Sequence, residues 1–164
     1  ESMLSHGAVS TLVQLAAQDD QDLDCRVDAL VILAGAKGTD LTAHVTQLVP
    51  LLLIDDLRDA AFKVLEQKEM VTCAVEALIE LATDEDDDDD GREAALELLA
   101  KARHNVLSAY VSQLVPILGL DDSLREATVK VLERPGMATC AVEALVDLAD
   151  DDEEEDEGRD VALG

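Results

Sequence analysis

Seven consecutive acidic residues, Asp84, Glu85, Asp86, Asp87, Asp88, Asp89 and Asp90, run directly into Gly91. Eight more, Asp150, Asp151, Asp152, Glu153, Glu154, Glu155, Asp156 and Glu157, stand before Gly158, and a shorter, interrupted run occupies 19–24. Carboxylates at this density suit two kinds of counterpart: the lysines and arginines of a basic protein, or a hard divalent cation that takes oxygen ligands. Asp86, Asp88, Asp90, Gly91 and Glu97 have the calcium-loop spacing D-x-D-x-D-G-x5-E, in which alternate side chains turn toward one ion and a later glutamate closes the shell. Any long aspartate run before a glycine meets most of that pattern, and Glu93 stands where such loops carry an apolar residue. The equivalent runs fail it: Cys25 replaces the glycine in the first, and Glu153 and Gly164 take the leading and closing places in the third. A docking strip for a basic partner is therefore the first expectation and calcium at Asp86, Asp88, Asp90 and Glu97 the second. Against both stands the plainer reading that blocks of like charge repel themselves and form solvated loops.

The remaining reactive side chains assemble no catalytic set. His6, His44 and His104 are not expected to converge, and no nucleophile, zinc-ligand spacing or glycine-rich phosphate loop accompanies them. The expectation is a protein without enzymatic activity and without a cofactor, calcium excepted. Cys25, Cys73 and Cys140 show neither a C-x-x-C spacing nor an even count, so buried free thiols in a reducing compartment are expected, the cytoplasm first and the nucleus second. The formal charge of -26, from 38 acidic against 12 basic residues, repels phosphate backbones and argues against direct nucleic-acid binding. The same acidity also suits simple solubility or a salty interior. No apolar run is long enough to cross a bilayer, and none is placed as a leader.

The acidic runs are held in place by a repeat. AVEALIELA from Ala74, an acidic run and GREAAL recur 67 residues later as AVEALVDLA from Ala141, an acidic run and GRDVAL. A fainter copy, AVSTLVQLA, starts at Ala8. Arg26, Arg58, Arg92, Arg125 and Arg159 each open an Ala- and Leu-rich stretch at steps of 32, 34, 33 and 34. A unit of that length whose apolar residues recur every three or four positions is a helical hairpin, repeated. Five units follow: 3–37, 40–68, 70–104, 107–134 and 137–164. Their helices are predicted at 3–18 and 24–37, 42–54 and 56–67, 71–83 and 91–103, 107–118 and 122–134, with Thr39 or Asp40 capping the second unit. A fifth pair begins near Met137 and is incomplete at Gly164. Val45, Leu48, Val49 and Leu52 form one apolar stripe; Leu57, Ala61, Val64 and Leu65 form its partner. A single hairpin cannot bury both, so neighbouring units must stack, with Ala61, Ala95 and Ala127 permitting close approach. Pro50 and Pro116 should bend the first helices of their units.

The segments LVPLLLIDDLRDAAFKVLE from Leu48 and LVPILGLDDSLREATVKVLE from Leu114 resemble HEAT repeats of the HEAT/armadillo-like superfamily: a proline in the first helix, an aspartate-bearing turn, then an apolar-Arg pair opening the second helix. The resemblance implies an all-α, right-handed α-solenoid of about five helix pairs. It also implies a ladder of aspartate and arginine between units, with Asp55 and Arg58, and Asp121 and Arg125, as its rungs. Repeats of this kind bind other proteins through extended surfaces. The expected function is a protein-binding scaffold with an acidic edge formed by the aligned turns. A calcium-buffering module is the alternative, and a lyase-like assembly subunit rests on the wider superfamily alone. The absence of a polar closing unit suggests part of a longer array, or self-association through the last unit.

Overall fold

The computed structural model describes residues 4–36 and 41–146. Every regular element among them is helical, so the protein is all-α there. The first pair is α1 (His6–Ala17) and α2 (Leu23–Gly35). In the second unit α3 (Val45–Leu48) lies between 3-10 turns at Thr42–His44 and Val49–Leu53, and α4 (Asp55–Leu65) follows. The third pair is α5 (Lys68–Thr83) and α6 (Asp89–Leu99). In the fourth unit α7 (His104–Leu107), a 3-10 turn Ser108–Tyr110, α8 (Val111–Leu114) and a 3-10 segment Val115–Gly119 precede α9 (Asp122–Leu132). Residues 138–146 are again helical.

The continuous first helices predicted over 42–54 and 107–118 are in fact broken. Proline has no N–H to donate and crowds the preceding turn, so at Pro50 and Pro116 the chain tightens into 3-10 geometry rather than bending as one α-helix. Caps set other boundaries. The Ser5 side chain accepts from Ala8 N–H at 3.3 Å, and α1 starts at His6. Asp88 caps α6 by accepting from Gly91 N–H at 3.2 Å, which moves the start two residues ahead of the predicted Gly91. The predicted caps Thr39 and Asp40 lie outside the described residues.

Helices of like order pack in rows. Helix α2 lies against α4, α4 against α6 and α6 against α9; the first helices run in parallel order, α1 against α3, α3 against α5 and α5 against α8. The core lies between these rows and between successive units. All eight residues of the two predicted stripes are at most 7% exposed, and Ala61, Ala95 and Ala127 are buried where second helices meet. Across the α4–α6 contact Lys101 Nζ reaches Glu66 at 2.7 Å and sits 4.5 Å over the Phe62 ring.

Repeat equivalence brings out one difference between the third unit and residues 138–146. Val142, Leu145 and Val146 are exposed, whereas their counterparts Val75, Leu78 and Ile79 in α5 are buried. Helix α5 as a whole packs most extensively on α6. The corresponding stretch after residue 146, with Arg159 and the acidic residues 150–157, lies outside the described residues.

Candidate interaction site at the acidic turn

Four arginines at the starts of the second helices make equivalent hydrogen bonds, although Arg26 and Arg92 are buried and Arg125 is exposed. Each points Nε back at a carbonyl at or near the end of its unit's first helical segment: Arg26 to Ala16 at 2.9 Å, Arg58 to Leu52 at 2.9 Å, Arg92 to Ala82 at 3.2 Å and Arg125 to Leu118 at 3.0 Å. Carbonyls at a helix C-terminus lack intrahelical donors, and a guanidinium supplies one with charge of the favourable sign. The arginine thereby fixes the hairpin angle and the turn between its helices.

The same guanidiniums collect aspartates. Arg58, Arg92 and Arg125 pair with Asp55, Asp89 and Asp122, three residues earlier, at 2.7, 3.2 and 2.7 Å. In the first unit Leu23 holds that position, and Arg26 turns to Asp19 at 3.2 Å instead. An acidic residue in the first helical turn with a cation one turn later suits both the dipole and side-chain reach. This D-x-x-R spacing is visible in the sequence, whereas the expected rungs follow from the HEAT resemblance, and only Asp55–Arg58 has it. The expected Asp121–Arg125 pair is not the one formed. Asp121 instead caps α9, accepting from Ser123 N–H at 2.8 Å, which leaves Asp122 to the arginine.

Arg58 goes further and bridges two units. Its Nη2 lies 2.7 Å from both Asp55 and Asp88, and its Nη1 lies 3.5 Å from Asp90. Asp55, Asp88 and Asp90 bring carboxylate oxygens within 4.8 Å of one another, the spacing a metal ion needs. The cation at their centre is the guanidinium. Of the four calcium candidates, Asp88 and Asp90 belong to this group with Asp55, a residue the loop pattern does not contain. Asp86 and Glu97 are not in it: Asp86 donates its N–H to Asp84 Oδ1 within the turn, and Glu97 projects from α6 beside Glu93 and Asp90.

The seven-residue run thus divides. Asp88, Asp89 and Asp90 serve the fold, through Arg58, Arg92 and the cap of α6. Among the described residues no cation stands within ion-pair distance of Asp84, Glu85, Asp86 or Asp87. Partial burial, then the charge of Asp84, raises the Asp87 pKa above its ordinary value; Arg92 pulls it back and Asp86 adds to the rise. The second predicted strip, Asp150, Asp151, Asp152, Glu153, Glu154, Glu155, Asp156 and Glu157, lies outside the described residues.

Two further expectations are corrected. The thiols are free but not buried: Cys25 and Cys73 are exposed, and Cys140 is partly buried where it packs against the core. His6 and His44, remote in sequence, have ring centroids 6.3 Å apart, because α1 packs on the second unit's first helix. Their mutual approach is set by stacking, which residue types alone do not show.

No family model matches the chain, and no curated protein is similar to it. The chain is similar in fold to an engineered protein whose crystal structure came from the Northeast Structural Genomics Consortium. The two share 20% identity with a TM-score of 0.53, over 83% of this chain and 67% of the other. Among the described residues no helix is long and apolar enough to cross a membrane.

Proposed function

We propose that this chain is a HEAT-like, right-handed α-solenoid that acts as a binding scaffold, docking a basic protein segment along the edge where its interhelical turns lie. The observation that carries this reading is the division of the acidic turn. A run that served only the fold needs Asp88, Asp89 and Asp90, yet four carboxylates precede them with no cation within ion-pair distance among the described residues. Like charges held together in a structured turn raise its energy, and an incoming cationic segment relieves it; at Asp87 the charge of Asp84 adds to the larger effect of partial burial in raising the pKa. The rows of equivalent helices support the solenoid reading, and equivalent arginine bonds in four units support one edge for all the turns.

The test is binding of fluorescent polylysine at ~0.15 M salt and again at ~0.5 M, where screening shortens the reach of charge. Binding that weakens with salt, and weakens further in a Glu85→Gln, Asp86→Asn, Asp87→Asn variant, supports the scaffold. Polylysine that fails to bind, or binds the variant as tightly, refutes it. A calcium-binding reading has the convergence of Asp55, Asp88 and Asp90 in its favour, but an ion there must displace the guanidinium of Arg58.

A further inference from the structure

Beside the unneutralised half of the acidic turn lies a cleft of about 320 Å3. One wall is α3 and the 3-10 segment after it, presenting Thr46, Val49, Pro50 and Leu53. The other is the end of α5 and the turn, presenting Ala77, Glu80, Leu81, Asp84 and Asp87. Ala77, Glu80, Leu81 and Asp84 follow the i, i+3, i+4, i+7 spacing of one helical face, so apolar and acidic groups are interleaved along a single wall. Three carboxylates line the cleft and no basic residue does.

We propose that this cleft is a socket for an arginine side chain of the basic segment that the scaffold reading above invokes; the proposal rests on that reading and names where the segment is anchored. The chemistry matches along its length. Val49, Pro50, Leu53, Ala77 and Leu81 offer an apolar floor for the methylene stem, and Glu80, Asp84 and Asp87 offer acceptors for the head. A metal ion fits less well. Among the described residues the carboxylates whose oxygens converge within 4.8 Å are Asp55, Asp88 and Asp90, not these three. Acceptors spread more widely call for a cation that is itself spread, with several donors in a plane, and that is a guanidinium. The same protein shows the arrangement at Arg58, whose guanidinium spans carboxylates from two units.

The probe is fluorescein-labelled hexa-arginine, with affinity read by anisotropy on the full chain and folding verified by circular dichroism. Asp84→Asn with Asp87→Asn should weaken binding about tenfold, since it removes charge-assisted bonds. Glu76→Gln with Glu143→Gln makes an equal charge change at exposed sites outside the cleft, and should weaken it less than about twofold. Thr46→Phe alters no charge and places a ring at the exposed rim of the cleft; it should weaken binding at least about fivefold by occluding the stem. Equal losses in the two charge pairs, or an unchanged affinity in Thr46→Phe, overturn the socket while leaving the acidic edge as a binding strip. Failure of hexa-arginine to bind the unaltered chain overturns both.

Discussion

Arg58 Nη2 lies 2.7 Å from Asp88 Oδ2 across the junction of the second and third units, joining residues 30 apart in the chain. The same guanidinium holds Asp55 and reaches Asp90, while its Nε caps the segment that ends with Leu52 and Leu53. One side chain therefore closes its own hairpin and locks it to the next. Arg58→Met should cost about 1–3 kcal/mol, between the value of an exposed pair and that of a buried one, because Arg58 is 17% exposed and its partners are largely in solvent. It should also create a metal site. With the guanidinium gone, Asp55, Asp88 and Asp90 keep their oxygens close with no cation between them. Calcium, compared with an ionic-strength control, should raise the melting temperature of the variant by ~3 °C more than that of the parent. An equal response in both proteins would mean that Arg58 does not occupy the calcium position.

Gly91 is required by closeness of approach. A Cβ at this position would lie 2.7 Å from Leu53 Cδ2 and 3.2 Å from the Leu52 carbonyl oxygen. The leucine tip can swing away, but the carbonyl belongs to the backbone that Arg58 caps. Gly91→Ala should therefore destabilise by about 1–2 kcal/mol despite alanine's better helix propensity, with denaturant melts as the measurement. A neutral or stabilising result would show that the second unit yields at Leu52.

How much of this is legible without coordinates depends on whether the information is local. The arginine period, the two apolar stripes and the close-packing alanines are properties of single helices, and all eight stripe residues are buried as their spacing requires. The pairing of Arg58 with Asp88 is not local. Within a run of seven acidic residues nothing in the order of residue types says which one faces an arginine 30 positions back; only the register of stacking decides it. Asp121 and Asp122 show the limit at short range too. Either can meet Arg125, and the need of the helix for a cap settles which one does. The thiols mislead for a related reason, since cysteine is usually buried but Cys73 is exposed.

Asp87 makes stability depend on pH with an unusual sign for a carboxylate. Its pKa is raised by partial burial and by Asp84, so the folded chain holds this proton more tightly than the unfolded chain does. The group's favourable contribution is complete below the ordinary aspartate value and is lost as pH rises through the folded value, leaving a penalty at neutral pH. Asp87→Asn should remove that penalty and raise the melting temperature at pH 7 by about 1–2 °C, the scale of a surface substitution in a chain of this size. The gain should shrink as pH falls through the raised value. A gain that persists at pH 3, where Asp87 of the parent is largely protonated and the asparagine carries no charge, would point to side-chain shape rather than charge.

The two halves of the acidic turn should respond to neutralisation with opposite signs, although every substitution removes negative charge. Asp88→Ala loses the cap on Gly91 N–H and the bridge to Arg58, and should cost about 1–2 kcal/mol, most of it from the cap. Asp90→Asn should add a smaller loss through its 3.5 Å contact with Arg58. Glu85→Gln with Asp86→Asn touches no ion pair among the described residues, and lowering the local crowding of charge should leave the melting temperature unchanged or higher. Added salt separates the causes further, because it screens repulsion around residues 84–87 but does not replace a cap. The Glu85/Asp86 variant should thus gain less from salt than the parent does, whereas Asp88→Ala should stay below the parent at every salt concentration. If all three variants shift stability in the same direction, the turn acts as a single block of charge, and the division between a folding half and a binding half is lost.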